Sequence, residues 1–481
     1  MATITDRTTV QTIATHYIDG EFVPSHGREV MDSIRPTDER VIAHVTLADE
    51  EDTRRAIAAA RRAFESYRAS PIDERRDILL SLHEAATARL DDLTAAMVDE
   101  YGGVVSFARP IIEGGVGAFK ASADALSEIQ WTRHWGETTV TMEPVGVAGL
   151  ITAWNANALF VCLKLASALG AGCTAVLKPS ELSGVQAQVL VEAFHEAGVP
   201  KGLFNFVTGL GSVVGAELTR NPDVDKISFT GSVGVGQTIM RDGAATLKRV
   251  TLELGGKSPN IILEDANLTE AIPNAFIAAF MNSGQACAAG TRLLVPESRF
   301  EEVKQALRDV AASFPVGDPA DPRTAVGPMV SQKQHERVES YIRKGIEEGA
   351  EVLIGGEGHP DGFDSGYYVK PTVFVNVDND MTIAREEIFG PVLSVINYKD
   401  EADAIRIAND SDYGLHAFVN SSDLDHARRV ASQIRAGRVV INGMTDDPQA
   451  PWGGFKHSGY GREYGQYGIE AFLETRAILV A

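Results

Sequence analysis

Cys287 lies in the stretch Met281-Asn282-Ser283-Gly284-Gln285-Ala286-Cys287-Ala288-Ala289-Gly290. A thiolate is intrinsically nucleophilic near neutral pH, and small neighbours leave room for a substrate to reach the sulfur. The bland alternative is an inert buried thiol, the usual state of a free cysteine. Two further positions carry chemistry-bearing side chains beside turn-forming residues. Asn155 follows Trp154, and Glu253 precedes Leu254-Gly255-Gly256-Lys257. Read alone, Asn155 is a turn residue and Glu253 a strand-end carboxylate. Two glycine-rich segments come close to a phosphate-binding pattern without matching it. In Gly209-Leu210-Gly211-Ser212-Val213-Val214-Gly215 the third glycine falls one residue late for G-x-G-x-x-G, and Gly231-Ser232-Val233-Gly234-Val235-Gly236 does not fit either.

These residues must be held by regular elements, and the chain supplies them. Residues 49–93 carry apolar side chains at intervals of three and four with Arg, Asp and Glu on the other face, which predicts charged surface helices. From residue 145 short apolar runs alternate with helical segments. Residues 145–154 read as a buried strand, 158–170 as a helix and 173–178 as a second strand. Ser180 is placed to cap a helix through 185–197, which Gly198 closes. Residues 203–208, 225–231 and 260–265 are further short apolar runs. This rhythm predicts an α/β fold with a parallel, doubly wound sheet, whose ligands bind where strands end. A second α/β pattern runs from Gly255 to about residue 438, with a helix at 300–314 and strands at 371–377 and 389–398.

Composition narrows the function classes. The chain has 481 residues and a formal net charge of −22, so it lacks the basic face that nucleic-acid binding needs. A solvated acidic surface is the ordinary reading of this charge; salt adaptation is the sharper one. Three cysteines in a chain of this length describe no disulfide framework. The Cys and His spacings match no zinc site, so no metal is expected. No apolar run reaches the roughly 18 residues of a membrane span, and the first 20 residues have no apolar signal core. A cytoplasmic location is expected.

Seven stretches in order carry a resemblance. They are Ile151-Thr152-Ala153-Trp154-Asn155, Lys178-Pro179-Ser180-Glu181, Phe229-Thr230-Gly231-Ser232, Glu253-Leu254-Gly255-Gly256-Lys257, the Cys287 segment, Glu386-Glu387-Ile388-Phe389-Gly390-Pro391, and Pro451-Trp452-Gly453-Gly454-Phe455-Lys456-His457-Ser458-Gly459. From about Tyr17 onward the chain resembles the NAD(P)-dependent aldehyde dehydrogenase superfamily. The resemblance implies oxidation of an aldehyde to a carboxylic acid, with Cys287 as nucleophile, Asn155 as oxyanion donor and Glu253 as general base for the water that cleaves the thioester. It implies NAD as cofactor, with NADP disfavoured. Lys178 and Glu181 would hold the adenosine ribose and Ser232 the pyrophosphate at a helix start. Gly211, Phe229, Gly231 and Gly255 would belong to the same cofactor site. Trp154 would line it, and Glu387 and Phe389 would flank the nicotinamide ribose.

The resemblance also implies three parts. Residues 1–125 and 145–254 would form a Rossmann-type NAD-binding domain, and 255–468 a catalytic domain. Residues 126–144 and 469–481 would form a small β extension that pairs between subunits. The apolar alternation of residues 138–144 and 476–481 suits edge strands, and an unpaired apolar edge is a liability, so a homodimer or homotetramer is expected. The substrate pocket is where the chain departs from its relatives. Ala156, Leu163 and Met281 stand where aromatic or proline residues are common, and Trp452 is the aromatic that remains. The two aspartates of Met444-Thr445-Asp446-Asp447-Pro448, expected at the pocket mouth, could attract a cationic substrate or simply be solvated. Two other function classes are possible on the same fold. A catalytically retired binding protein on the same fold would not need Cys287, Glu253 and Asn155 together. A CoA-acylating semialdehyde dehydrogenase would not need the carboxylate base Glu253.

Overall fold

The computed structural model describes residues 9–480. The first eight residues and Ala481, the end of the expected C-terminal extension, lie outside the described part. The acidic N-terminal region forms the helices Glu50–Tyr67, Ile72–Thr87 and Leu90–Ala96. Asp49 caps the first, accepting from the backbone of Glu51 and Asp52, and Asp52 closes a capping box.

The first large sheet has eight strands. Its centre is five parallel strands in the spatial order Arg249–Glu253, Lys226–Thr230, Val147–Ile151, Thr174–Lys178, Phe204–Phe206. In chain order this is 5-4-1-2-3, the doubly wound arrangement expected from the alternation of strands and helices. The order reverses between Val147–Ile151 and Lys226–Thr230, and a crevice opens at the carboxyl ends of the strands beside such a reversal. Asn155, Lys178, Thr230 and Glu253 all stand at or just beyond those ends. All five residues of Val147–Ile151, Thr174–Lys178 and Lys226–Thr230 are buried, as expected for strands covered on both faces.

Several details differ from the reading of the sequence. Ser180 does not cap the α-helix. It caps a single 3₁₀ turn, Glu181–Ser183, accepting from the Leu182 N–H, and the helix begins at Gly184. Gly211–Gly215 forms one wide helical turn that runs into the helix Ala216–Arg220, so it is not a strand-to-helix phosphate loop of the G-x-G-x-x-G kind. Gly459–Tyr460 returns to the edge of the first sheet, pairing antiparallel with Leu252 and Glu253. The proposed boundary at residue 468 therefore places in the second unit a strand that pairs with the first. An N-terminal three-stranded sheet of Gln11–Ile13, Val41–Thr46 and Val30–Ile34 was not expected.

The second large sheet has seven strands, in the order Glu351–Ile354, Thr372–Val375, Val392–Tyr398, Arg292–Pro296, Pro259–Ile262, His416–Asn420, Arg438–Ile441. Only the first pair is antiparallel. Here the residues near the site precede their strands or begin them: Cys287 before Arg292, Phe389 before Val392, and His416 and Arg438 as first residues. Amino ends of this sheet thus face carboxyl ends of the other. A small antiparallel sheet joins Leu473–Ile478, Thr138–Pro144 and Thr132–Trp135, the three strands of the expected extension.

Candidate active site

Cys287 sits on an irregular loop between the helix Leu268–Phe280 and the strand Arg292–Pro296. Asn282 and Ser283 have φ of 52° and 56°, and Gly284 follows at 72°. Two non-glycine residues in the left-handed region are strained, and the surrounding bonds hold them there. The Asn282 amide donates to the backbone oxygens of Asn155 (2.9 Å) and Gln285 (3.2 Å). Gln285 is fully buried: its side chain donates to the Tyr101 hydroxyl at 3.1 Å and accepts from the Val330 N–H at 3.0 Å. The sequence reading treated these residues only as small or polar neighbours of the thiol.

Cys287, Asn155 and Glu253 line one cavity of about 200 Å³, together with the four expected pocket residues Ala156, Leu163, Met281 and Trp452. Asn155 Nδ2 donates to the Gln285 carbonyl at 3.0 Å. That bond uses one of its two N–H groups and fixes the amide beside the Cys287 loop. The residue is half-buried and lines the cavity. Burial, and then the carboxylates of Glu387 and Glu253, push it up to about 12, so in this state it is protonated.

Glu253 is buried and ends its strand. Burial pushes its carboxyl well above the ordinary range; the neighbouring Glu463 carboxylate acts in the same direction, and Lys164 and Arg462 oppose it. Lys164 and Glu463 form a buried ion pair, Nζ to Oε1 at 2.5 Å, and Ser228 Oγ bonds both partners at 3.0 and 3.1 Å. A carboxylate whose pKa is raised by its surroundings is suited to general-base work. Neither Lys164 nor Glu463 was singled out from the sequence. One is a lone cation in an apolar helix and the other follows an arginine in a polar stretch, so neither has a local signal.

The expected cofactor residues cluster along the crevice of the first sheet. Lys178 Nζ and Glu181 Oε2 are paired at 2.8 Å, the lysine buried and the glutamate partly exposed. Ser232 is exposed and precedes the helix Val233–Gly243, whose first-turn N–H groups can attract an anion. A Cβ added at Gly211 or Gly234 would meet nothing within 4 Å, so the backbone there is open to a ligand. Thr230 Oγ1 is buried without a hydrogen-bond partner. Phe229 is core, 6% exposed, with its ring against Gly231. The Trp154 and Phe389 rings meet edge to face at 5.3 Å, both half-buried. Glu387 accepts from the Gly256 N–H at 3.0 Å.

Two glycines here are dictated by space. A Cβ on Gly255 would lie 2.4 Å from Glu387 Oε2, and one on Gly256 would lie 2.4 Å from the Cys287 carbonyl oxygen. The Gly255-Gly256 pair therefore lets the Cys287 loop and Glu387 pack directly against the end of the Glu253 strand.

An arginine joins the two aspartates of the loop expected at the pocket mouth. Asp446 is ion-paired with Arg438, which the sequence reading did not name. Arg438 lines the cavity between Trp452 and Tyr464, 5.1 Å from each ring centroid. One of the two aspartates is thus paired with a cation, while the Asp447 side chain accepts from the Gln449 N–H at 2.9 Å. Among the described residues no cluster of three or more His, Cys, Asp or Glu could hold a metal ion. No described helix is long and apolar enough to cross a membrane.

Comparisons with known proteins agree with this geometry. A sequence model of the aldehyde dehydrogenase family matches residues 22–478. A 3-succinoylsemialdehyde-pyridine dehydrogenase of a Pseudomonas species is 45% identical over 465 residues, 96% of this chain and 98% of that protein. A crystal structure of a cysteine-to-alanine variant of aldehyde dehydrogenase C from Pseudomonas syringae, complexed with NAD⁺ and octanal, superposes with a TM-score of 0.94 at 43% identity, covering 98% of this chain and 97% of that one. Betaine aldehyde dehydrogenase from Staphylococcus aureus in complex with NAD⁺ gives a TM-score of 0.93 at 36% identity over 97% and 94% of the two chains. The chain belongs to the aldehyde dehydrogenase family.

Proposed function

We propose that this protein uses NAD to oxidise an aldehyde to a carboxylic acid through covalent chemistry at Cys287. The observation that carries the reading is the convergence of Cys287, Asn155 and Glu253 on one apolar cavity beside the crevice of a doubly wound sheet. NAD would be held by Lys178 and Glu181 at its ribose, Ser232 and the open glycine backbone at its phosphates, and Trp154, Glu387 and Phe389 nearest the reacting carbon. When bound, it supplies a hydride acceptor.

The residues divide the work by their chemistry. Cys287 gives its proton to solvent water and its sulfur attacks the aldehyde carbon, giving a thiohemiacetal whose oxygen is negative. The free N–H of Asn155 and the Cys287 backbone N–H stabilise that oxygen. As the C–O double bond re-forms, the C–H bond leaves with its electron pair as hydride and a thioester remains on sulfur. Glu253 takes a proton from water, which attacks the thioester; the acid departs and the thiolate is restored. A carboxylate within the cavity supports hydrolysis over acyl transfer to CoA. Retention of all three groups argues against a retired binding protein.

The three-part division into a cofactor-binding unit, a catalytic unit and a β extension is part of the same reading. The outer strand Thr132–Trp135 is exposed throughout, which supports pairing with a second subunit. The test of function is Cys287→Ser. We expect NADH production from simple aldehydes to be abolished and NAD binding to be nearly unchanged, because a hydroxyl is close in size but far less nucleophilic. More than a few per cent of residual activity would remove Cys287 from the role.

A further inference from the structure

One buried polar group in the cavity has no task in the mechanism above. His416 is the first residue of its strand and 6% exposed. Its ring lines the same cavity as Cys287, 4.7 Å from the Phe418 ring and 5.9 Å from that of Trp452. Phe160, Leu163 and Met281 contribute apolar wall to that cavity, and Arg438 and Asp446 line it too. Nδ1 is buried and has no hydrogen-bond partner among the described residues. An imidazole placed so, without a partner, is costly to fold, and a ligand group is what the cavity can bring to it.

The charge state narrows the chemistry. Burial, reinforced by the Arg438 cation, lowers the His416 pKa to about 4, so at neutral pH the ring is uncharged, with one donor and one acceptor nitrogen. Arg438 itself is committed elsewhere. Of the five N–H groups of a guanidinium, Nε donates to the Pro451 carbonyl at 3.0 Å, Nη1 to Asp446, and Nη2 to the carbonyls of Asp447 (3.0 Å) and Ala450 (2.5 Å). The Trp452 and Tyr464 rings each lie 5.1 Å from its guanidinium carbon and 6.0 Å from one another, so both stack against one side of it. It has no free fork for a carboxylate. Its fixed charge beside His416 also disfavours a cationic tail.

We propose that His416 determines specificity by hydrogen-bonding a neutral polar group (a hydroxyl, carbonyl or ring nitrogen) on the tail of an otherwise apolar aldehyde. The proposal rests on the oxidation reading above. Arg438 acts as a positioning residue that pins the 446–451 loop over the same end of the cavity.

The experiment compares kcat/KM for two pairs of nearly isosteric aldehydes, 4-hydroxybenzaldehyde with 4-methylbenzaldehyde and 6-hydroxyhexanal with heptanal. Each is measured with NAD for the wild type, His416→Leu and His416→Asn. In at least one pair, the hydroxyl-to-methyl ratio should fall about tenfold or more in the Leu variant, the scale of one buried hydrogen bond. The Asn variant, which keeps a donor and an acceptor, should recover part of that ratio, and the methyl substrates should change less than about threefold. An unchanged ratio for both pairs in both variants would overturn the proposal while leaving the oxidation reading intact. Absence of wild-type turnover of all four aldehydes would instead overturn the oxidation reading, and this proposal with it.

Discussion

The proposed preference for NAD over NADP can be worked from one ion pair. A 2′-phosphate on the adenosine ribose would bring between one and two negative charges towards Glu181. At an effective dielectric of about 20, a like charge at about 4 Å costs roughly 4 kcal/mol. Lys178 Nζ lies 2.8 Å from the Glu181 carboxylate, hence about 7 Å from such a phosphate, and returns roughly 2.4 kcal/mol per charge at the same dielectric. The remainder is about 1.8 kcal/mol per phosphate charge, or about 3 kcal/mol in all. The Glu181 side chain is 31% exposed, so solvent and rotation of the carboxylate should reduce this to about 1–2 kcal/mol, a preference of roughly 5–30-fold. Replacing Glu181 with Gln removes the repulsion and leaves Lys178, which is buried, as an unopposed cation facing the phosphate. The ratio of kcat/KM with NAD to that with NADP should therefore fall about tenfold or more in Glu181→Gln and may be read by NADH and NADPH absorbance alone. A wild type that prefers NADP, or a Gln variant with an unchanged ratio, would refute the electrostatic argument.

Further outcomes follow from the buried carboxylates. Glu253→Gln should keep the first burst of NADH while steady turnover falls about 10²–10⁴-fold, the usual range for loss of a general base; parallel loss of burst and turnover would assign Glu253 to an earlier step. Because Glu253 works only when ionised and its pKa is raised, wild-type kcat should increase with pH through that raised value, as long as thioester hydrolysis limits the rate. Glu463→Gln should move this limb to lower pH, since it deletes the negative neighbour that raises Glu253 and leaves the Lys164 cation to lower it. The same change breaks a buried ion pair and should destabilise the fold by about 3–5 kcal/mol in denaturant unfolding; a pH limb that stays in place would exclude Glu463 as a determinant of the Glu253 pKa.

What the sequence alone determined was local or ordered along the chain. Short, mostly apolar runs from residue 145 specify buried parallel strands, since residues covered on both faces are mostly apolar. The turn chemistry around Asn155, Gly231 and Gly255 marks where strands end, and ligands gather there. Cys287 stands out by its type among small neighbours. The residues that tune the site do not. Lys164 and Glu463 are 299 positions apart, and His416 and Arg438 begin different strands. Periodicity reports which face of an element is buried, not which distant element covers it. The capping role of Ser180 was misplaced by a few residues because a 3₁₀ turn and a helix start from the same side-chain chemistry. Asp446 is a loop residue in the sequence, and only the strand order brings Arg438 against it. Burial and Coulomb fields depend on three-dimensional neighbours, so the raised pKa of Glu253 and the neutral state of His416 were decided by tertiary structure.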